Sequence, residues 1–491
     1  MSYYPIKCIY CMETIPMSER CVKLAPEEIR SENPLADHPV ELSDDTISMV
    51  SSRGESSRKI VYKSLRQLRE EGKVVKEEVL NIDISREFSE IPECNEDFVQ
   101  YVEVKDLEIN GKSRRGVMRK WYCPVCHNEI IPQAGKMPIY LISLMGPSSA
   151  GKTVYLTILH MLLSGRTFDL PSGYISADKL GRTGDEYQDF ANGINNNILP
   201  GTTVEFRKDP YMLQVSYVLN RETNESCKRC LIGLIDMRGE MLQGGHNEDL
   251  EYNTVPQFKK ADGFIMMVDP ETLEGVYNKL PEQYLGARDR NQLQQIVSAM
   301  KEVISSYITS NIGRIDKPSI VALTKEDILY KYNAQLGIPL DQPVIAPMFK
   351  PQAGTNLAEV YYKPMHDSTQ ECIKYLSGSF TAFLHTIFKN PYFVSVSALG
   401  SEVVIDGNRL DNAAKISPVR VETPLMHLLM DFNFIPPFYR EEYYHEPIAL
   451  LNTWGEYFAE DWVPLEVPKE EEKKDKKLRF WHKKTDEEAK A

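Results

Sequence analysis

No apolar run in this 491-residue chain approaches the roughly 20 residues needed to cross a bilayer. The N-terminus lacks the charged-then-apolar order of a secretory signal. Positive charge is not in excess either, since 57 Lys and Arg face 71 Asp and Glu for a formal charge of −14. That balance argues against a general nucleic-acid binder, which needs surplus cations to release phosphate counterions. A disulfide framework is missing too. The nine cysteines are an odd number, and four of them form two distant CxxC pairs, a pattern of metal ligands in a reducing compartment. Together these absences predict a cytoplasmic protein. What is present is ordinary: 42% hydrophobic and 26% charged residues describe a globular chain. It is too long for one core, so two or three units are expected.

The most informative stretch is Gly146-Pro147-Ser148-Ser149-Ala150-Gly151-Lys152-Thr153, which fits G-x-x-x-x-G-K-[ST]. Ile139 to Met145 before it is an apolar, β-branched run that reads as a buried parallel strand. Val154 to Leu163 after it reads as a helix. In that setting the glycines let backbone N–H groups turn around an anion, and the helix N-terminus adds positive charge. Lys152 is placed to reach β- and γ-phosphates and the Thr153 hydroxyl to bind Mg²⁺.

Further strands follow in an order that restricts the chemistry. Tyr211 to Leu219 and Arg229 to Ile235 read as a hairpin that supplies one antiparallel strand to a mainly parallel sheet. The second arm runs into Asp236-Met237-Arg238-Gly239-Glu240, where Asp236 can hold a water on Mg²⁺ and the Gly239 N–H can touch a γ-phosphate. Phe264 to Asp269 is the next buried strand, and Asn291 to Ile308 has one apolar helical face. Ser319 to Leu323 then ends in Thr324-Lys325-Glu326-Asp327. A carboxylate at Asp327 can accept from both N1–H and the N2 amine of guanine, whereas adenine offers no such pair, and the mismatch costs about 1–3 kcal/mol per unsatisfied group. The stem of Lys325 can lie on the base plane. Residues 337–363 form an insertion of no assignable role. One long amphipathic helix is expected through Cys372 to Ile387. The last strand, Tyr392 to Val396, leads into Ser397-Ala398-Leu399, whose backbone can meet guanine O6. Thr423-Pro424 starts a closing helix, Leu425 to Phe432.

Cys8-Ile9-Tyr10-Cys11 and Cys123-Pro124-Val125-Cys126 can each present two thiolates, and together they make a tetrahedral Cys₄ zinc site. A strand from Phe98 to Ile109, the Asn110-Gly111 turn and a return through Val117 to Tyr122 would deliver the second pair. The 111 residues between Cys11 and Cys123 require an insertion, about 12–97. Two independent knuckles, or buried free thiols, are the alternative. His127 reads as an exposed side chain rather than a ligand, and Cys21 and Cys94 as isolated thiols. Within the insertion Ser43 to Ser57 reads as a loop, and Ile60 to Leu80 as a surface helix, with a partner-binding helix as the alternative. Cys227-Lys228-Arg229-Cys230 is a third CxxC that a strand start explains better than a metal.

Taken in order, GPSSAGKT, Thr202/Thr203, DMRG, TKED and SAL resemble the five motifs of TRAFAC-type GTPases, relatives of the Ras-like switches. A CxxC…CPxC ribbon ahead of such a domain is similar to bacterial double-GTPase-like families associated with conflict systems. The resemblance implies an α/β P-loop G domain, a mainly parallel sheet flanked by helices, preceded by a small zinc-ribbon β unit with a large insertion. It implies GTP and GDP as ligands with Mg²⁺ and Zn²⁺. Gly146, Ser148, Ser149, Ala150, Gly151, Lys152 and Thr153 would hold phosphates, and Thr153 with a switch threonine, Thr202 or Thr203, would hold Mg²⁺. Asp236, Gly239 and Glu240 would form the second switch, with Glu240 standing where Ras-like proteins carry a water-positioning Gln. Thr324, Lys325, Asp327, Ser397, Ala398 and Leu399 would read guanine. The expected units are 1–136, 137–437, an aromatic-rich extension 438–468 and a charged tail 469–491, whose basic cluster at Lys473 to Lys484 reads as solvated, with contact to an anionic surface as the alternative. The function implied is a slow or partner-stimulated GTPase switch acting on a protein effector. A nucleotide-binding scaffold with negligible hydrolysis is the alternative.

Overall fold

The computed structural model describes residues 4–24, 61–79, 99–109, 112–147, 150–164, 167–170, 173–200, 210–218, 227–236, 260–280, 314–338, 363–400, 405–406, 409–410, 416 and 418–435. Short antiparallel pieces come first. Strands β1 (Ile6–Lys7) and β2 (Thr14–Ile15) form a hairpin. Strand β3 (Cys21–Leu24) pairs with β4 (Val61–Ser64). Strands β5 (Val74–Val79), β6 (Val99–Ile109) and β7 (Lys112–Met118) make a three-stranded sheet. The β6–β7 hairpin turns where the sequence predicts, with Ile109 opposite Lys112, but its return arm is Lys112–Met118 rather than Val117 to Tyr122.

The expected surface helix over residues 60–80 is corrected. Only Leu65–Glu70 is helical, between β4 and β5. Ser64 stops the strand by capping that helix: its Oγ accepts from the Gln67 N–H, and the Gln67 side chain accepts from the Ser64 N–H. Leu65 and Leu68 are buried, whereas Val74 and Val75 belong to a strand. This stretch alternates short strand and short helix, which a single helical pattern fitted only in part.

The central element is an eight-stranded sheet. Its strands are β8 (Ile139–Met145), β9 (Thr167–Leu170), β10 (Gly173–Leu180), β11 (Tyr211–Val218), β12 (Cys227–Asp236), β13 (Gly263–Val268), β14 (Ser319–Leu323) and β15 (Tyr392–Ser395). The order is β15-β14-β13-β8-β12-β11-β10-β9. The first five strands are mutually parallel. Strand β11 is the expected antiparallel strand, and β10 and β9 extend that edge by two more. These two, with helix Gly181–Asn195, occupy the span between the P-loop helix and β11. That span is polar in sequence, and its folded elements account for the length of chain between the P-loop helix and the Asp236 motif.

Continuous apolar runs form the parallel strands because both faces are covered. Ile265, Met267, Ile320 and Ala322 face one core with the P-loop helix Lys152–Leu163 and the closing helix Thr423–Asp431. Phe264, Met266, Val321 and Leu323 face the other, with helices Lys363–Leu376 and Gly378–Ile387. The alternation is the strand pleat at work. The single long helix expected here is two, separated at Ser377, whose φ of −161° leaves the helical region. Gly378 follows at the break, where glycine lowers helix propensity. A Cβ on Gly275 would lie 2.8 Å from the Leu376 backbone, so the short helix Glu274–Tyr277 presses against the interruption.

A third core joins the two parts of the chain. Ile6, Val22, Leu65, Val99 and Trp121 cluster with Ile139, Leu141, Met212 and Leu231 from β8, β11 and β12. No helix among the described residues is long and apolar enough to cross a membrane. The expected helix Asn291 to Ile308, the loop Ser43 to Ser57, Cys94, most of insertion 337–363, the extension and the tail lie outside the described residues.

Candidate functional site

The phosphate-type loop leaves the C-terminal end of β8, which lies between β13 and β12 inside the parallel run. Gly146 has φ 150°, and a Cβ there would lie 2.5 Å from the Met267 carbonyl oxygen, so only glycine lets the loop lie this close to β13. Gly151 has φ 76° and sits immediately before the helix. Lys152 is buried on the first turn, and its Nζ donates to Gly146 O at 2.9 Å and Pro147 O at 3.0 Å. The loop's own carbonyls therefore hold a buried cation inside the curl. Thr153 follows on the same turn, and Ala150 closes the loop by donating from N to Pro147 O at 3.0 Å. Ser148 and Ser149 lie outside the described residues. Asp236 ends β12 in register with Leu144 of β8, two residues before Gly146, so β12 delivers it to the same end of the sheet as the loop. Thr202, Thr203, Gly239 and Glu240 also lie outside the described residues.

Two further loops meet at the same end of the sheet. Thr324 donates from N and Oγ1 to Val268 O, at 2.9 and 3.1 Å. Lys325 has φ 50°, and its Nζ donates to Asp269 Oδ2 at 2.8 Å and Glu271 Oε2 at 2.9 Å. Both carboxylates are buried, so the lysine stem is fixed from its far end. Asp327 opens the short helix Glu326–Lys331 and accepts from Ser397 Oγ at 2.5 Å. That same Oγ accepts from the Gly400 N–H at 2.9 Å. Ser397 is tied by two backbone hydrogen bonds to Val419, at 3.0 and 2.8 Å. Ala398 and Leu399 lie half-buried in the loop that follows.

Sequence reasoning missed Asp269, Glu271 and Arg420. Asp269 was legible in principle, because it directly follows β13, near the strand end where Asp236 closes β12. Arg420 carried no local signal. It is buried, it ion-pairs with Glu326, and its Nε donates to Ser395 O at 2.7 Å. Burial pushes the Glu326 carboxyl up, and the Arg420 charge works against that shift.

A second cluster lies in the N-terminal part. The Sγ atoms of Cys8, Cys11, Cys123 and Cys126 all lie within 4.8 Å of one another. Cys8 approaches Cys126, and Cys11 approaches Cys123, each at 3.6 Å. Tetrahedral zinc–thiolate geometry, with Zn–S near 2.3 Å, implies sulfur separations of about 3.8 Å. The two knuckles share one backbone pattern. The Cys8 N–H donates to Glu13 O, and the Met12 N–H to Cys8 O, both at 2.9 Å. The Cys123 N–H donates to Asn128 O at 2.9 Å, and the His127 N–H to Cys123 O at 3.0 Å. The fifth residue of each is left-handed, Met12 at φ 59° and His127 at φ 58°. Hydrogen bonds from Cys11 and Cys8 hold the Cys123 thiol down to about 2, while bonding to Cys11 and Cys123 pushes Cys8 up. Four sulfur atoms converging within 4.8 Å of one another form a donor set that a metal ion could occupy. The long interval is closed by pairing of Tyr122 with Cys21 on one side and Glu129 on the other. His127 stacks on Tyr62 with centroids 4.3 Å apart, away from ligand duty as expected. Cys227 and Cys230 begin β12, and no other metal-type cluster occurs among the described residues.

Residues 140–328 match the sequence model of the family described as Double-GTPase 2, and the chain resembles that family as a P-loop GTPase. No curated protein matches it significantly. Similar solved structures include the crystal structure of sup35 complexed with GMPPNP, at 13% identity and a TM-score of 0.22, covering 57% of this chain and 41% of that one. The crystal structure of sup35 complexed with GDP is comparable, at 13% identity and a TM-score of 0.20 with the same coverages. The chain thus spans 41% of the length of those relatives.

Proposed function

We propose that this chain binds GTP and GDP with Mg²⁺, hydrolyses GTP, and changes a protein partner's interface with its nucleotide state. The observation that carries the reading is convergence. The loop around Lys152, Asp236, and the hydrogen-bonded Asp327 and Ser397 all lie at the C-terminal ends of neighbouring parallel strands, where open α/β sheets hold ligands. The anion fits the residues present, because a buried ammonium inside a glycine-dependent loop suits phosphate. Lys152 would exchange its two loop carbonyls for phosphate oxygens. Thr153, Asp236 and a threonine at 202 or 203 offer hard oxygen donors that suit Mg²⁺, which when bound neutralises phosphate charge.

Asp327 accepts from the N1–H and N2 amine of guanine, Lys325 covers the base with its stem, and the Ser397–Leu399 backbone meets O6. Glu240 follows Gly239 as the residue that would orient water. A carboxylate beside phosphate is repelled where water is excluded, so it either turns away and leaves the role to a partner, or acts as a base. Cys8, Cys11, Cys123 and Cys126 hold one structural Zn²⁺. The units proposed are a split zinc ribbon in 1–136 and a GTPase domain in 137–437.

Calorimetric titration with GTP, GDP and ATP beside single-turnover GTP hydrolysis tests the reading. Selective guanine-nucleotide binding with measurable turnover is expected. Equal affinity for ATP would sink it, and guanine binding without turnover would leave a nucleotide-dependent scaffold. In the hydrolysis assay Glu240→Gln separates the two roles: a slower rate at unchanged GTP affinity identifies a base, and no change identifies a partner-completed site.

A further inference from the structure

Arg420 is buried, stands at φ 53°, and comes late in the chain, yet its guanidinium touches Glu326 and the end of β15, the two segments that lead into Asp327 and Ser397. Nη2 pairs with the Glu326 carboxylate and donates to Ser395 Oγ at 3.0 Å, while Nε donates to Ser395 O at 2.7 Å. Glu326 immediately precedes Asp327, and Ser395 lies two residues before Ser397. The neighbour of Arg420, Val419, is the residue whose backbone brackets Ser397. One rigid fork therefore ties the Glu326 side chain to the Ser395 backbone, on either side of the Asp327–Ser397 hydrogen bond.

We infer that Arg420, paired with Glu326, is a positioning residue for base selection: it sets where the Asp327 carboxylate and the Ser397 loop stand relative to one another. The inference rests on the guanine reading of Asp327. A planar fork suits the task because it is directional and always charged, whereas a lysine supplies only a point charge. If the pair served stability alone, well-packed apolar side chains in its place would be tolerated, as buried ion pairs often are. Base discrimination separates the two roles.

The test compares GTP with inosine triphosphate, which lacks only the 2-amino group that Asp327 would bind. Calorimetric affinities for both are measured on the full chain and on three variants: Arg420→Met/Glu326→Met, Arg420→Lys and Glu326→Gln. Thermal midpoints are recorded in parallel. Wild type is expected to prefer GTP by roughly ten- to hundredfold, the worth of a hydrogen bond to a charged group. The double Met variant is expected to lose most of that ratio while inosine triphosphate, held by the phosphate loop, binds nearly as before. Arg420→Lys should fall between. Should the double variant not fold, Glu326→Gln carries the comparison, with the same expected loss of ratio. A folded variant that keeps the wild-type ratio overturns the inference, as does parallel weakening of both nucleotides with a lowered thermal midpoint. Failure of the underlying guanine reading is seen separately, in wild type alone, as equal affinity for the two nucleotides.

Discussion

At position 327 an acceptor-only carboxylate suits a base edge that carries two donors, and the arithmetic changes if one oxygen becomes an amide. Asp327→Asn is expected to move preference from guanine to xanthine nucleotides, since xanthine carries a carbonyl where guanine carries the amine. Competition between GTP and xanthosine triphosphate measures this; an unchanged order of affinity would count against the assignment. Lys152→Ala should remove nucleotide binding or turnover altogether, because the loop then has no cation where its carbonyls converge; normal hydrolysis by that variant would contradict the site. The loop around Lys152 was legible as a strand-loop-helix turn because it needs a fixed backbone shape: Gly146 cannot carry a Cβ against Met267. The partners of Lys325 were not legible. Asp269 and Glu271 lie more than fifty residues earlier, and only the parallel pairing of β13 with β14 brings them alongside. Arg420 was hidden for the same reason.

Among the elements, the five parallel strands could be read as continuous apolar runs, while β9, β10 and helix Gly181–Asn195 could not. Their stretch is polar, and it is ordered by packing: Tyr187 and Ile194 reach the core that the P-loop helix builds. His160 inside that helix bonds Tyr211 at 2.8 Å and Gln188 at 3.2 Å, linking the helix to both neighbours. The closing helix Thr423–Asp431 is buried nearly throughout and carries a titration signature. Burial, then nearby His366, holds the His427 imidazole down to about 3. Its folded pKa is below the ordinary value of about 6.5, so its share of stability is intact above 6.5 and is lost as pH falls towards 3. Glu422 at the start of the helix is opposite in sense, pushed up to about 7 by burial. Its share is intact below about 4.5 and is lost as pH rises through 7. Between 4.5 and 6.5 the slopes oppose one another, and the steep losses fall outside that window. Thermal midpoints across pH 3 to 9 should show His427→Phe flattening the fall below about pH 4.5 and Glu422→Gln the fall between about pH 6.5 and 7. Parallel curves for both variants and wild type would remove this account.

Across the whole molecule, the cysteine cluster and the nucleotide-type sheet are not independent. Ile139, Leu141, Met212 and Leu231 on the sheet complete the core of the N-terminal part. Each fully buried aliphatic side chain is worth about 1.5–3 kcal/mol, and a domain's net stability is only about 5–15 kcal/mol. Polar contacts lie over the same seam. Lys7 Nζ donates to both Asp262 oxygens at 2.7 Å and to Lys260 O at 3.0 Å, and Asp262 Oδ2 accepts from the Leu141 N–H at 2.7 Å. Lys260 in turn pairs with Glu13 and donates to Cys11 O at 3.4 Å, inside the first knuckle. Structural zinc in isolated fingers contributes about 10–16 kcal/mol, so the metal proposed for Cys8, Cys11, Cys123 and Cys126 would hold this seam closed. Chelation, or Cys123→Ser/Cys126→Ser, should therefore lower the melting midpoint of the nucleotide-binding part along with that of the knuckles. Calorimetry is expected to show the two melting together when metal is present and GTP affinity falling when it is removed. Lys7→Met should weaken the seam by about 1–3 kcal/mol through the charge left at Asp262, without releasing the metal. Elemental analysis must find one zinc per chain in protein purified without chelator. Metal-free protein with an unchanged midpoint and unchanged GTP affinity would show that the two parts stand alone.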